Sequence, residues 1–115
     1  MMVTLPNHDQ FIQAILDRRE VRLTWPSKED NGVTQIRRCA PMDFGPSRTA
    51  HDKTPRYQFW DFESDSGRPH PLLLLATQIT KVELLESTFD PAAFVTWDLG
   101  KSPWHIPRTT WGDYN

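Results

Sequence analysis

Apolar positions along this chain change spacing several times, and each change predicts a new element. In "NHDQFIQAILDRR", Phe11, Ile12, Ile15 and Leu16 fall on one helical stripe. Asn7 suits the N-cap, and Gln10 stands where a capping box would use it. Arg18 and Arg19 close the last turn, where cations suit the helix dipole. "EVRLTWP" then alternates as a strand, with Val21, Leu23 and Trp25 inward, Glu20, Arg22 and Thr24 outward, and Pro26 as its stop. The polar stretch "SKEDNG" carries an Asn-Gly hairpin signal and leads to a second strand around "VTQIRRCA", where alternation is poor. "PMDFGPSRTAHDKTP" predicts a loop of about fifteen residues, long enough to be functional or mobile.

The next strand, "PRYQFWDFES", poses a problem. Alternation places Tyr57, Phe59 and Asp61 on one face and Gln58, Trp60 and Phe62 on the other, so each face carries two aromatics. A half-buried surface strand needs only one apolar face, and the second must be covered by something. "SDSG" turns the chain, "PLLLL" makes a fourth strand, "ATQI" a short turn and "TKVELLE" a fifth strand. The prediction is an α+β, mostly β fold: an N-terminal helix, then a five-stranded bent antiparallel sheet closing toward a small barrel. Its core is expected to hold Phe11, Ile15, Val21, Leu23, Phe59, Leu73, Ile79 and Val82.

Residues 1–86 account for that unit. Residues 87–115 form a tail rich in proline and aromatics. "FDPAAF" predicts a helical turn with Asp90 as cap and Pro91 at its first position. Trp97, Trp104 and Trp111 recur every seven residues, but Gly100, Pro103, Pro107 and Gly112 exclude one continuous helix. So much apolar surface is expected to pack, either on the same domain or on a neighbour, and one candidate site is the uncovered face of the aromatic strand.

Composition narrows the class. At 115 residues, with 37% hydrophobic and 24% charged residues, the chain suits one globular domain. Its longest apolar run, "LLLLA", is far short of the roughly 20 residues that span a bilayer, so no membrane partner is expected. "MMVTLPNHDQ" lacks the pattern of a secretory signal, and a lone Cys39 fits a reducing compartment; a cytoplasmic protein is the expectation. A net charge of −2 argues against a general nucleic-acid binder. The positive charge is concentrated, however: Arg18, Arg19, Arg22, Arg37 and Arg38 are five of the thirteen Lys and Arg residues.

The order of features resembles a WYL-type domain, a small β-barrel related to the Sm-like fold. Ala14, Ile15, Arg19, Val21, Leu23 and Trp25 match that family's helix-to-strand pattern. Pro41 and Phe44, then Tyr57 with Trp60, then Leu72 to Leu75, Ile79 and Val82 follow in its order. The resemblance spans roughly residues 8–90 and implies a ligand-sensing regulatory module. The name-giving Trp-Tyr-Leu is Arg56-Tyr57-Gln58 here, and the basic residue usual before the isoleucine step is Gln78. The family's ligand therefore does not carry over. Such domains commonly follow a DNA-binding helical domain, and none is expected in this chain, which begins seven residues before its helix.

Three groups are candidates for function. Arg19, Arg22, Arg37 and Arg38 would converge if the second strand pairs with the first, and guanidinium forks suit phosphate or carboxylate. The structural alternative is a solvated face with Asp17, Glu20 and Glu29 as counter-charges. Tyr57 and Trp60 could stack bases, against the alternative of core packing. Trp97, Trp104 and Trp111 could anchor a partner interface.

Asp61, Glu63 and Asp65 begin like a calcium loop, but Gly67 comes one place late and Leu72 sits at the distant ligand position. His8, His51, His70 and His105 show no zinc spacing, and Cys39 reads as a buried small apolar residue. No catalytic, metal or cofactor motif is found, so the expectation is a non-enzyme without cofactor. Two function classes follow. One is a sensor of a nucleotide, oligonucleotide or nucleic acid; the other is an interaction or homo-oligomeric protein using the tryptophan-rich tail.

Overall fold

A computed structural model describes residues 3–27, 31–63 and 70–115. Helix α1 (His8–Asp17) precedes strands β1 (Arg19–Ser27), β2 (Val33–Gly45), β3 (Arg56–Asp61), β4 (His70–Leu74) and β5 (Lys81–Thr88). All pairings are antiparallel, in the order β4-β3-β2-β1-β5. The predicted helix and five-stranded bent sheet are present, but the sheet is not closed: β4 and β5 are its edges. Residues 28–30 of the "SKEDNG" loop and the "SDSG" turn lie outside the described residues.

The helix buries Phe11, Ala14 and Ile15 and leaves Gln13 and Asp17 in solvent, as its stripe requires. Its ends differ from the prediction. Asn7 does not cap; its side-chain amide donates instead to the Val82 carbonyl of β5 at 2.9 Å, tying the helix start to the sheet. At the other end Arg18 adopts a left-handed conformation (φ 56°) and Arg19 already belongs to β1. Carbonyls in a helix's last turn lack intrahelical partners. Here the far end of the chain supplies donors: the Trp111 indole N–H donates to Ile15 O at 2.7 Å, and the Thr110 hydroxyl to Leu16 O.

β2 corrects the predicted long loop. The strand continues through Pro41 to Gly45, and the connection to β3 shrinks to residues 46–55. Proline is excluded from a strand bonded on both sides, but β2 changes neighbours along its length. Its first half pairs with β1 as far as Cys39, and its second half pairs with β3 from Cys39 onward. Pro41 lies just past the β1 ladder, beside a register shift between Pro41 and Asp43 that leaves Met42 unpaired. The change of neighbour also explains the poor alternation. Cys39 is fully buried at that point, and burial pushes its thiol pKa well upward, so it is inert in the folded state.

Of the expected core residues, Phe11, Ile15, Val21, Leu23, Phe59, Ile79 and Val82 are buried, but Leu73 is not. It is 37% exposed because β4 is an edge strand, with Gln58 opposite Leu73 on a face left partly open.

Both faces of β3 are covered. On one, Phe11 of the helix meets Tyr57 and Phe59 edge-on at 4.9 and 5.4 Å. On the other, Phe94 of the C-terminal segment stacks on Trp60 at 5.4 Å and meets Phe62 edge-on at 6.0 Å. Phe94 follows a short 3-10 turn, Pro91–Ala93, capped by the Asp90 carboxylate as the sequence predicts. The chain's own tail thus covers the second aromatic face.

Truncation after Glu86 should bare Trp60, Phe62 and the helix end together, giving an aggregating product. A truncated chain that stays soluble and melts at the full-length temperature would falsify the tail's structural role. A second outcome concerns Asp61, which is buried. Burial raises its carboxyl pKa against the opposing pull of the Glu63 N–H and of the charges on His70 and Arg37. The folded state therefore holds this proton more tightly than the unfolded chain. That stabilisation is full below the ordinary aspartate range and is lost as pH rises through the raised folded value. Asp61→Asn keeps an acceptor for Glu63 N and should raise the melting temperature near pH 7 while changing it little in acid. A lower melting temperature at pH 7 would contradict this.

Candidate functional site

The bulge at Met42 turns Asp43 onto the face that the tail covers, and Asp43 is 2% exposed. Its carboxylate accepts from the backbone N–H groups of Phe44 (3.0 Å), His105 (2.9 Å) and Ile106 (2.9 Å). The buried Arg108 guanidinium lies 3.5 Å from the same carboxylate. It stacks on Trp104 and Trp111, 4.2 and 4.4 Å from the two ring centroids, and donates twice to Ile106 O. Desolvation lowers its pKa to about 10 despite the opposing effect of Asp43, so it stays charged at neutral pH.

A cleft of about 320 Å³ opens beside this lock. One wall is sheet and loop: Met42, Asp43, Pro46 to Thr49, Gln58, Pro71 and Leu73. The opposite wall is tail: Trp97 and Ser102 to His105. Asp43, Gln58 and Leu73 stand in one row across β2, β3 and β4. The His105 ring lies so close to Gly45 that any Cβ at that position would collide with it, which is why glycine is needed there. Trp97 and Trp104 meet edge-on at 5.7 Å, and the Trp104 N–H is held by Tyr114 O. Arg48 stands exposed at the rim, one guanidinium nitrogen donating to Pro103 O and so bridging the two walls. No carboxylate among the described residues pairs with it.

The predicted arginine group is spread out. Arg22 and Arg38 sit directly opposite each other on one face, but Arg22 faces Glu83 at 3.7 Å. Arg38 binds the buried Glu20 and lies over Phe62 at 4.8 Å. Glu20 was expected outward, and this ion pair at the covered sheet surface accounts for its burial. Arg37 pairs across from Leu23 on the opposite face, and Arg19 donates to Leu85 O at 2.8 Å.

Tyr57 is fully buried, its hydroxyl hydrogen-bonded to Leu5 N (2.9 Å) and His8 Nδ1 (2.7 Å). Trp60 is stacked under Phe94. Trp111 is buried against Phe89 and Phe94, while Trp97 and Trp104 line the cleft. Sequence reasoning missed Asp43, Arg48, Gln58, His105 and Arg108. The one readable signal was Arg108 between Trp104 and Trp111 in a segment otherwise poor in charge. Among the described residues no cluster of three or more His, Cys, Asp or Glu could hold a metal, and no helix is long and apolar enough to cross a membrane.

No family model, curated protein or solved structure matches the chain.

Removing one partner of a buried ion pair strands the other, at about 3–5 kcal/mol. Asp43→Ala should therefore destabilise the protein by about that amount and free the tail to proteolysis. Arg108→Met should cost less, because Asp43 keeps its three amide donors. Denaturant melts and limited digestion check both, and equal losses in the two variants would contradict the assignment.

Proposed function

We propose that this protein is a non-enzymatic ligand-binding module of regulatory type, similar in plan to a stand-alone WYL-type domain, that binds its ligand in the cleft between sheet and tail. One observation carries the reading: the cleft joins an apolar lining to a rim arginine with no carboxylate partner among the described residues. Pockets that take small molecules have this make-up, a mostly apolar wall with a few placed polar groups. A long nucleic acid fits less well, since Arg22 and Arg38 each face a carboxylate and Tyr57 offers no open ring face. A tail that anchors a partner also fits less well, since Trp111 is spent on its own helix. The buried, single Cys39 agrees with a cytoplasmic setting.

Leu73 supplies the test, because it is exposed and faces the cleft from the edge strand. In a fragment screen followed by indole N–H resonances, hits should shift Trp97 and Trp104 and leave Trp25 unmoved. Leu73→Arg should abolish those shifts with little change in melting temperature. Hits that move Trp25 instead, or that survive Leu73→Arg, would place binding elsewhere.

A further inference from the structure

Within the cleft, the unspent donors lie beside the aromatic wall. Arg48 commits one nitrogen to Pro103 O and leaves its other N–H groups available. The Trp97 indole N–H has no hydrogen bond among the described residues, whereas that of Trp104 is held by Tyr114 O. The one carboxylate in the lining, Asp43, already receives three backbone N–H groups and Arg108, so it offers nothing to a cationic ligand. The charge left over is positive, and the surface beside it is indole, proline and leucine.

We propose that the cleft takes a planar aromatic compound bearing a single carboxylate or phosphate group, with the anion on Arg48 and the ring against Trp97, Trp104 and Leu73. The inference rests on the cleft being the binding site. A guanidinium fork receives either anion through paired N–H donors. Indole surfaces favour a flat ring over an aliphatic body of equal size, through offset or edge-on packing. The volume, about 320 Å³, sits at the small end of ligand pockets and suits one ring system rather than a chain of them. Arg48 spends only one nitrogen on Pro103 O, and the two walls are held together independently of it by the His105 and Ile106 amides on Asp43.

Four probes separate the parts of this proposal: 2-naphthoate, 2-naphthyl phosphate, the neutral 2-naphthamide, and the non-aromatic cyclohexanecarboxylate. Titrations of the full chain, followed by the Trp97 and Trp104 resonances, should show at least one naphthyl anion binding more tightly than the amide and cyclohexanecarboxylate weakest. The tighter of the two anions identifies the natural headgroup. Arg48→Gln should weaken that anion by roughly ten- to a hundredfold, the range of a charge-assisted hydrogen bond, and leave the amide unchanged. The unchanged amide also shows that the variant's cleft is intact. If the amide binds as well as both anions, or if Arg48→Gln weakens all ligands alike, the anion assignment is overturned while the cleft survives as a site. Equal binding of cyclohexanecarboxylate overturns the aromatic assignment. If none of the four shifts either tryptophan, the inference fails; the cleft itself fails only if the wider fragment screen also leaves both unmoved.

Discussion

A carboxylate buried at a strand irregularity organises this molecule. Asp43 projects from β2 where its ladder with β3 slips, and three backbone amides and a guanidinium converge on it. Burying either charge alone would cost several kcal/mol. Together they are tolerated because the carboxylate is hydrogen-bonded and the cation lies between two indole faces. Two of the three amides come from residues about sixty positions further along the chain. The interaction is therefore less a source of net stability than a specification: it admits one placement of the tail on the sheet and penalises others by leaving the pair unsatisfied.

From that placement the rest of the packing follows. With Ile106 held at Asp43 and Arg108 between the indoles, Trp111 reaches the end of the helix and adds a second donor to the Ile15 carbonyl, which also accepts the Arg18 N–H. Phe94 lies over Trp60, and Phe89 and Phe94 meet Trp111. Sheet and tail thus share one aromatic cluster, which the Trp111 hydrogen bond to Ile15 O ties to the helix. An open sheet with an interior strand, β3, that is apolar on both faces needs two covers, and here one is a helix and the other an irregular segment. The prolines of that segment reduce the freedom it must give up on docking, which matters where little regular hydrogen bonding holds it.

Periodic features were legible in the sequence. The helix stripe, the alternation of β1 and the two-faced β3 follow from spacing alone. Phe11, Ile15, Val21, Leu23, Trp25, Tyr57 and Phe59 are buried as the spacing predicts, and Glu20 is the exception, buried by its ion pair. Pro41 misled, because a proline signals a strand end only when the strand keeps its neighbours, and β2 exchanges β1 for β3 at that point. Leu73 misled for a related reason: apolar character alone does not distinguish a central strand from an edge that lines a cleft. Asn7 has the chemistry of a cap, but its amide N–H donates to Val82 O in β5 and its side chain caps no helix N–H. Asp43 was hidden inside an assumed loop. Its partners are long-range, and no local period encodes a contact between β2 and residues 105–108.

The cleft inherits its shape from the same long-range lock, so a ligand bound there would be coupled to folding. One wall is sheet and loop, the other is tail, and a ligand touching both contacts a surface that exists only while the tail is docked. Any such ligand stabilises the docked state by mass action, in proportion to the logarithm of its concentration over its dissociation constant. Trp104 makes the coupling direct: one of its contacts is the Arg108 guanidinium, another is Trp97 in the cleft, and its N–H is tied to Tyr114 near the chain's end. Occupancy of the cleft therefore bears on the same ring that screens the buried cation. Arg22 has no such coupling, and Arg38 meets the tail only indirectly, through Phe62 beside Phe94. Each already faces a carboxylate at the sheet surface, so an anion binding there would have to displace an existing partner. That difference, more than the number of positive charges, separates a surface that merely carries arginines from one where a bound ligand would be felt by the rest of the fold.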